Sequence, residues 1–185
     1  MAERAVPPDG RLARLGVIVR SADAAQRRRL ARMCDLAGVD VLWVSDELEA
    51  IELGSAVDHT QVLVRPEVDE AWARTLPVSI GRTPAEAEAR ADLDPGLAGF
   101  GDLHRDGLFG TLETAQARVV ELAHTGVTDL RCALPDVPDV HDVVAQLTAV
   151  VVGTTDTHRP DALRSADPAP PSWAARRPED EPDAG

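Results

Sequence analysis

Lysine, tyrosine and asparagine are absent from this 185-residue chain, and all 19 of its cationic side chains are arginine. Without lysine there is no Walker A phosphate lysine, no Schiff-base lysine and no anchor for pyridoxal phosphate. Aromatic residues make up only 3%, so stacking platforms for bases or sugars are poorly supplied and any core must be aliphatic. The 32 acidic residues leave a net charge of −13 and a pI near 4.7. That balance argues against a nucleic-acid partner, because neutralising phosphates needs a clustered positive face. No stretch approaches the roughly 18 to 20 uncharged apolar residues of a membrane span. Residues 1–10 carry charges and prolines where a signal peptide has an apolar run. Cys34 and Cys132 are too few to staple a secreted mini-domain. No Gly-x-Ser-x-Gly elbow is present, and Gly99-Phe100-Gly101 fails as a dinucleotide fingerprint because His104 takes the third glycine position. A cytoplasmic protein is expected.

The two ends differ from the middle. Residues 1–13 lack periodicity, and residues 159–185 form a proline-rich acidic segment that cannot bury enough apolar surface to offset its chain entropy. Both are expected to be disordered. Trp173 in the tail is read as a stray aromatic, with a docking anchor as the alternative. One domain over residues 14–153 remains.

Within it, strand and helix patterns alternate. Leu15 to Val19 is a short apolar, β-branched run that predicts a buried strand. Ser21 is the candidate N-cap of a helix whose Leu30, Met33, Cys34 and Ala37 make one apolar stripe, ended by Gly38. Val41 to Ser45 is the next strand, so the unit implies parallel pairing. Further strands are expected at Gln61–Val64, Leu76–Ile80 and Asp129–Leu134, five in all. Thr83, Pro84 and Glu86 fit N-cap, N1 and N3 of a helix that runs to about Ala91. Residues 93–110 contain five glycines and predict a mobile loop. Thr111 caps a helix with Ala115, Val119, Leu122 and Ala123 facing inward, ended by Gly126. Val140, Val143, Val144, Leu147, Val150 and Val151 stripe a last one. A short internal repeat, DLAGVDVLWVSD and LAHTGVTDLRCALPD, supports an α/β class.

Three segments carry a resemblance. RLGVIVRSADAAQRRRLARMCDLAGVDVLWVSDE resembles the opening of the bacterial luciferase-like monooxygenase superfamily, flavin- or deazaflavin-dependent oxidoreductases. LPVSIGRTPAEAEARAD is similar to that family's strand-to-helix turn, and GLFGTLETAQARVVELAHTGVTDL to its late helix and strand. The implied fold is a parallel-stranded TIM-type (β/α) barrel. A full barrel takes about 250 residues, and the family's central strands have no counterpart between Glu47 and Leu76, so a partial or shortened barrel is expected. Ser45, Asp46 and Glu47 stand where family members often carry histidine. The resemblance implies FMN or a deazaflavin coenzyme and oxidoreductase or monooxygenase chemistry. The alternative is a non-catalytic, degenerate barrel serving as an accessory or interaction subunit. An incomplete barrel leaves strand edges uncovered, which predicts a homo-oligomer or a hetero-partner.

In α/β folds ligands sit outside the carboxyl ends of the strands. That rule selects Arg20 and Ser21, Ser45 and Asp46, Gly81, Arg82 and Thr83, and Leu134 to Asp136. Arg82 beside a helix start, and the second such start at Gly110 and Thr111, are the candidate phosphate grips. Against this stands the reading of Thr83 and Thr111 as ordinary caps and of Arg82 as solvated. Asp102, His104 and Asp106 present metal-ligand or acid–base chemistry, although a solvated charged loop is the preferred account. His59 beside Asp58 and His141 beside Asp142 read as surface or capping residues, and His124 as a helix-end cation. No histidine pair has strong metal-ligand spacing. Cys34 and Cys132 read as packed core thiols.

Overall fold

The computed structural model describes residues 12 and 14–156. The expectations for residues 1–13, for residues 159–185 and for Trp173 lie outside that range, except that Leu12 packs half-buried against the core. Six strands form one sheet: β1 (Arg14–Ile18), β2 (Val41–Val44), β3 (Gln61–Val64), β4 (Ala73–Ile80), β5 (Leu108–Gly110) and β6 (Asp129–Ala133). Their order is β3-β2-β1-β6-β4-β5, and every neighbouring pair is parallel. The helices are α1 (Ala24–Ala37), α2 (Glu47–Gly54), α3 (Pro84–Leu93), α4 (Leu103–Asp106), α5 (Leu112–His124) and α6 (Val140–Asp156). The chain is thus an α/β protein built on a parallel sheet. The strand order leaves β3 and β5 as its two edges.

Side-chain alternation assigns the two faces of the sheet. Leu15, Val17 and Val19 point with Leu130, Cys132 and Leu134 into the main core. There they meet Ala31 and Cys34 of α1, Leu53 of α2, Val119 of α5 and Leu147 of α6. The stripes expected on α1, α5 and α6 are therefore the faces that pack. On the opposite face Ile18, Val41, Trp43 and Ala133 gather under Leu97 and Phe100. The connection from β3 to β4 crosses this second face without a helix. It delivers Asp69 and Glu70 to the guanidinium of Arg131, at 2.9 and 2.8 Å, which is almost wholly buried and stacks over Trp43 at 4.6 Å.

Two local expectations need correction. The N-cap of α1 is Asp23, whose carboxylate accepts from the Ala25 amide at 2.7 Å. Ser21 instead donates to Gln26 at 2.6 Å and accepts from the Asp23 amide, organising the turn before the helix. Residues 93–110 are not a mobile loop. They form a 3-10 turn (Pro95–Phe100) capped by Asp94, then α4 capped by Asp102, then β5, the sixth strand. The glycines punctuate these short elements instead of dissolving them, because Asx caps and the buried Leu97 and Leu108 fix the backbone between them. Capping of α3 by Thr83 and of α5 by Thr111 agrees with expectation.

Candidate functional site

Since all strands run the same way, every strand-to-helix junction lies at one edge of the sheet. Arg20 leaves β1 there and Leu134 leaves β6, side by side in the middle of the strand order. Arg20 is held by three neighbours. Its guanidinium donates to both oxygens of Asp94 at 2.7 and 3.3 Å and to the Leu134 carbonyl at 3.0 Å. Phe100 sits under it at 5.0 Å, with Arg65 at 5.4 Å from the same ring. Asp94 also accepts from the amides of Gly96 and Asp136 at 3.0 and 2.9 Å. Burial works to raise the Asp94 pKa, but the Arg20 hydrogen bond and these amides outweigh it, so the carboxyl lies below its ordinary value. One carboxylate thus ties together the ends of β1 and β6 and the start of the 3-10 turn.

Beside this knot a cleft of about 250 Å³ opens between α1, the end of β1 and the connection from β6 to α6. Ile18, Leu30, Met33 and Val137 give it an apolar lining. Ser21, Gln26, Arg29, His141 and Asp136 give it a polar one, together with Arg20, whose guanidinium is already paired with Asp94. Arg29 is exposed and makes no ion pair among the described residues, so its five donors are available. The Arg29 guanidinium beside an apolar floor suits a small carboxylate or phosphate group. The volume falls below the range of about 300–1,000 Å³ that encloses a whole drug-sized ligand. The cleft is therefore sized for the end of a larger molecule, or for a small anion entire.

Of the residues singled out from sequence, Arg20, Ser21 and Leu134 to Asp136 line this cleft, and the other seven fall into two groups at this edge. Gly81 and Gly110 are brought together, the Gly81 amide donating to the Gly110 carbonyl at 2.9 Å, with Arg82, Thr83 and Thr111 adjoining. Ser45 and Asp46 lie apart from them, since β1 and β6 separate β2 from β4. None of the seven lines the cleft between α1 and β6. Each of their helix starts is also occupied by its own side chains. Thr83 accepts from the Glu86 amide at 3.2 Å, and the Glu86 carboxylate takes the Arg82 amide at 3.0 Å. Asp46 accepts from the Glu49 amide and Glu49 takes the Ser45 amide, at 2.9 and 3.0 Å. Thr111 caps the Thr114 amide, with Glu113 in the same turn.

Gly81 is required by packing. A Cβ there would lie 2.8 Å from the Ala87 amide nitrogen and 2.9 Å from the Glu86 Cβ. Arg82 is exposed at the rim of this turn.

The remaining candidates are dispersed. His104 packs against Phe109 with ring centres 4.4 Å apart and the planes tilted by 58°, and lies 3.8 Å from Glu88. His59 lies 3.7 Å from Asp35, and His141 lies 3.2 Å from Asp142. Among the described residues no cluster of three or more His, Cys, Asp or Glu side chains is placed to hold a metal ion. Burial pushes the Cys34 thiol up to about 12 and raises that of Cys132 as well, so both stay protonated and poorly nucleophilic. Among the described residues no helix is long and apolar enough to cross a membrane.

Sequence reasoning missed Asp94 and Arg90. Arg90 is buried in α3 and reaches Asp139 at 2.6 Å, Glu86 at 2.7 Å and the Ile80 carbonyl, fastening α3 to the start of α6. The Asp94-Pro95 pair was a legible cap signal for a short element, hidden by the surrounding glycines. Nothing in the sequence marks Arg90 as buried. No family model matches the chain, and no curated protein matches it.

Proposed function

We propose that this chain is a cytoplasmic luciferase-like protein, a shortened (β/α) barrel that binds FMN or a deazaflavin coenzyme through its phosphate at the cleft between α1 and β6. The observation that carries this reading is the cleft at the carboxyl ends of two adjacent parallel strands, with Arg29 beside its apolar floor. That is where α/β sheets present their ligands. The fit is to the anionic end of the cofactor, because the cleft is too small for the whole molecule. When bound, the flavin would supply the hydride or oxygen chemistry of an oxidoreductase. This chain's own contribution is narrower. Arg29 supplies the charge that meets the phosphate, His141 adds a donor, and Arg20, its own charge met by Asp94, fixes the wall of the cleft. The free, buried thiols fit a reducing compartment.

A second reading, the non-catalytic accessory subunit, draws on the exposed edge strand β3. Titration of the purified protein with FMN and with a deazaflavin coenzyme, followed by absorption and fluorescence, separates the two. Saturable micromolar uptake of either supports the cofactor reading. No uptake at millimolar concentration rejects it and leaves the accessory role.

A further inference from the structure

The cleft carries a carboxylate as well as a cation, and the two face it from different walls. Arg29 stands on α1 and Asp136 on the connection from β6 to α6, both exposed. Among the described residues neither side chain makes an ion pair. The neighbouring carboxylates are engaged, Asp94 by Arg20 and two amides, and Asp142 at 3.2 Å from His141. Asp136 is also fixed in place. Its amide donates to Asp94 at 2.9 Å, and Pro135 and Val137 on either side of it are buried. On α1, Ser21 donates to the Gln26 side-chain oxygen, which leaves the Gln26 amide nitrogen as a donor one turn from Arg29.

A bare phosphate or carboxylate drawn to Arg29 meets Asp136 with like charge. The same carboxylate becomes a partner when the ligand carries a hydroxyl near its anionic group, because an O–H that donates to a carboxylate makes a short, charge-assisted bond. Ile18, Leu30, Met33 and Val137 are then placed to cover the carbon chain between the two groups. We propose that the cleft selects a phosphate ester of a hydroxylated carbon chain, with Arg29 on the phosphate and Asp136 accepting from a hydroxyl close to it. This rests on the cofactor reading above and names the part of the cofactor that is read, the polyol that joins phosphate to ring. Asp136 is the specificity residue, and Asp94 positions it through its amide.

The test compares two probes of equal length and charge, glycerol 3-phosphate, which carries hydroxyls, and propyl phosphate, which does not. Each is titrated into the full chain by calorimetry, with the backbone amide shifts of Arg29 and Asp136 locating the binding. In the parent, glycerol 3-phosphate should bind about tenfold tighter. Asp136→Ala should bring the two esters within about twofold, weakening the first and strengthening the second as the like charge is removed. Equal affinities in the parent, or a preference that survives Asp136→Ala, overturn the proposal. If Asp136→Ala fails to fold, the comparison in the parent decides. Uptake of FMN with no binding of either ester overturns the proposal and leaves the cofactor reading standing. Failure of FMN, the deazaflavin coenzyme and both esters to bind rejects the two together.

Discussion

Arg20 and Asp94 stand 74 positions apart and meet at 2.7 Å, closing the carboxyl edge of the sheet with a partly buried ion pair. The pair is worth more than an exposed bridge because Asp94 also satisfies the amides of Gly96 and Asp136. Replacing Asp94 with alanine strands a guanidinium and two amides. The expected loss is about 2–4 kcal/mol in urea unfolding, with Asp94→Asn intermediate because it keeps part of the hydrogen bonding. An unchanged midpoint in both variants would show that the knot is not structural.

The same carboxylate contributes to pH dependence. Its folded pKa lies below the ordinary value of 3.8. The unfolded chain therefore binds the proton first, and the stabilisation is fully present above that ordinary value. It is lost as pH falls through the folded value. Urea midpoints measured from about pH 6 down to about pH 2.5 should fall more steeply for the parent than for Asp94→Ala. Parallel slopes would remove Asp94 from the acid transition.

Much of this architecture is legible in the sequence, and the reason is periodicity. Val119 and Leu122, or Val143 and Leu147, can face only one way once the helix is granted, and the structure buries all four. Caps such as Thr83 are local chemistry and were equally readable. The strand order and the Asp94 knot are long-range, and no local pattern encodes them. Half of the cleft is legible, since the strand-end rule selects Arg20, Ser21 and Leu134 to Asp136, and the half supplied by α1 is not. Arg29 looks like any solvated arginine in the run Arg27-Arg28-Arg29 until α1 is laid beside the turn from β6 to α6. Gly81, selected with Arg82 and Thr83 at a strand end, also admits the first turn of α3.

Gly81 and Gly38 should respond to alanine for different reasons. Gly38 ends α1 at φ 79° with open space around its missing side chain, so alanine costs only the left-handed strain, about 1 kcal/mol. At Gly81 the new methyl meets backbone and a Cβ, and the cost is about 2–3 kcal/mol. Thermal melts of the two variants should rank Gly81→Ala below Gly38→Ala. The reverse order would mean that the turn into α3 yields easily.

Arg131 tests the crossover on the second face. Its side chain is 1% exposed, while its partners Asp69 and Glu70 remain partly in water. Arg131→Ala leaves a cavity over Trp43 and unpairs Asp69, for an expected loss of about 3 kcal/mol. Arg131→Met keeps most of the volume and should recover at least half of that loss. Glu70→Gln, at the exposed end, should change stability by less than about 1 kcal/mol. Chemical unfolding of the three variants checks the order.

Two arginines separate the two possible phosphate sites. Arg82 lies at the turn into α3, where the Glu86 carboxylate already holds the Arg82 amide and opposes an incoming anion. Arg29 lies in the cleft with no ionic partner among the described residues, and both side chains are exposed. Alanine at either position should leave the melting temperature within about 2 °C of the parent. In a fluorescence titration with FMN or a deazaflavin coenzyme, Arg29→Ala should weaken binding by about tenfold or more, the loss of one charge-assisted contact to phosphate. Arg82→Ala should bind as the parent does. The opposite pattern would move the phosphate to the start of α3, and equal losses in both would mean that a diffuse positive potential, not a built cleft, attracts the cofactor.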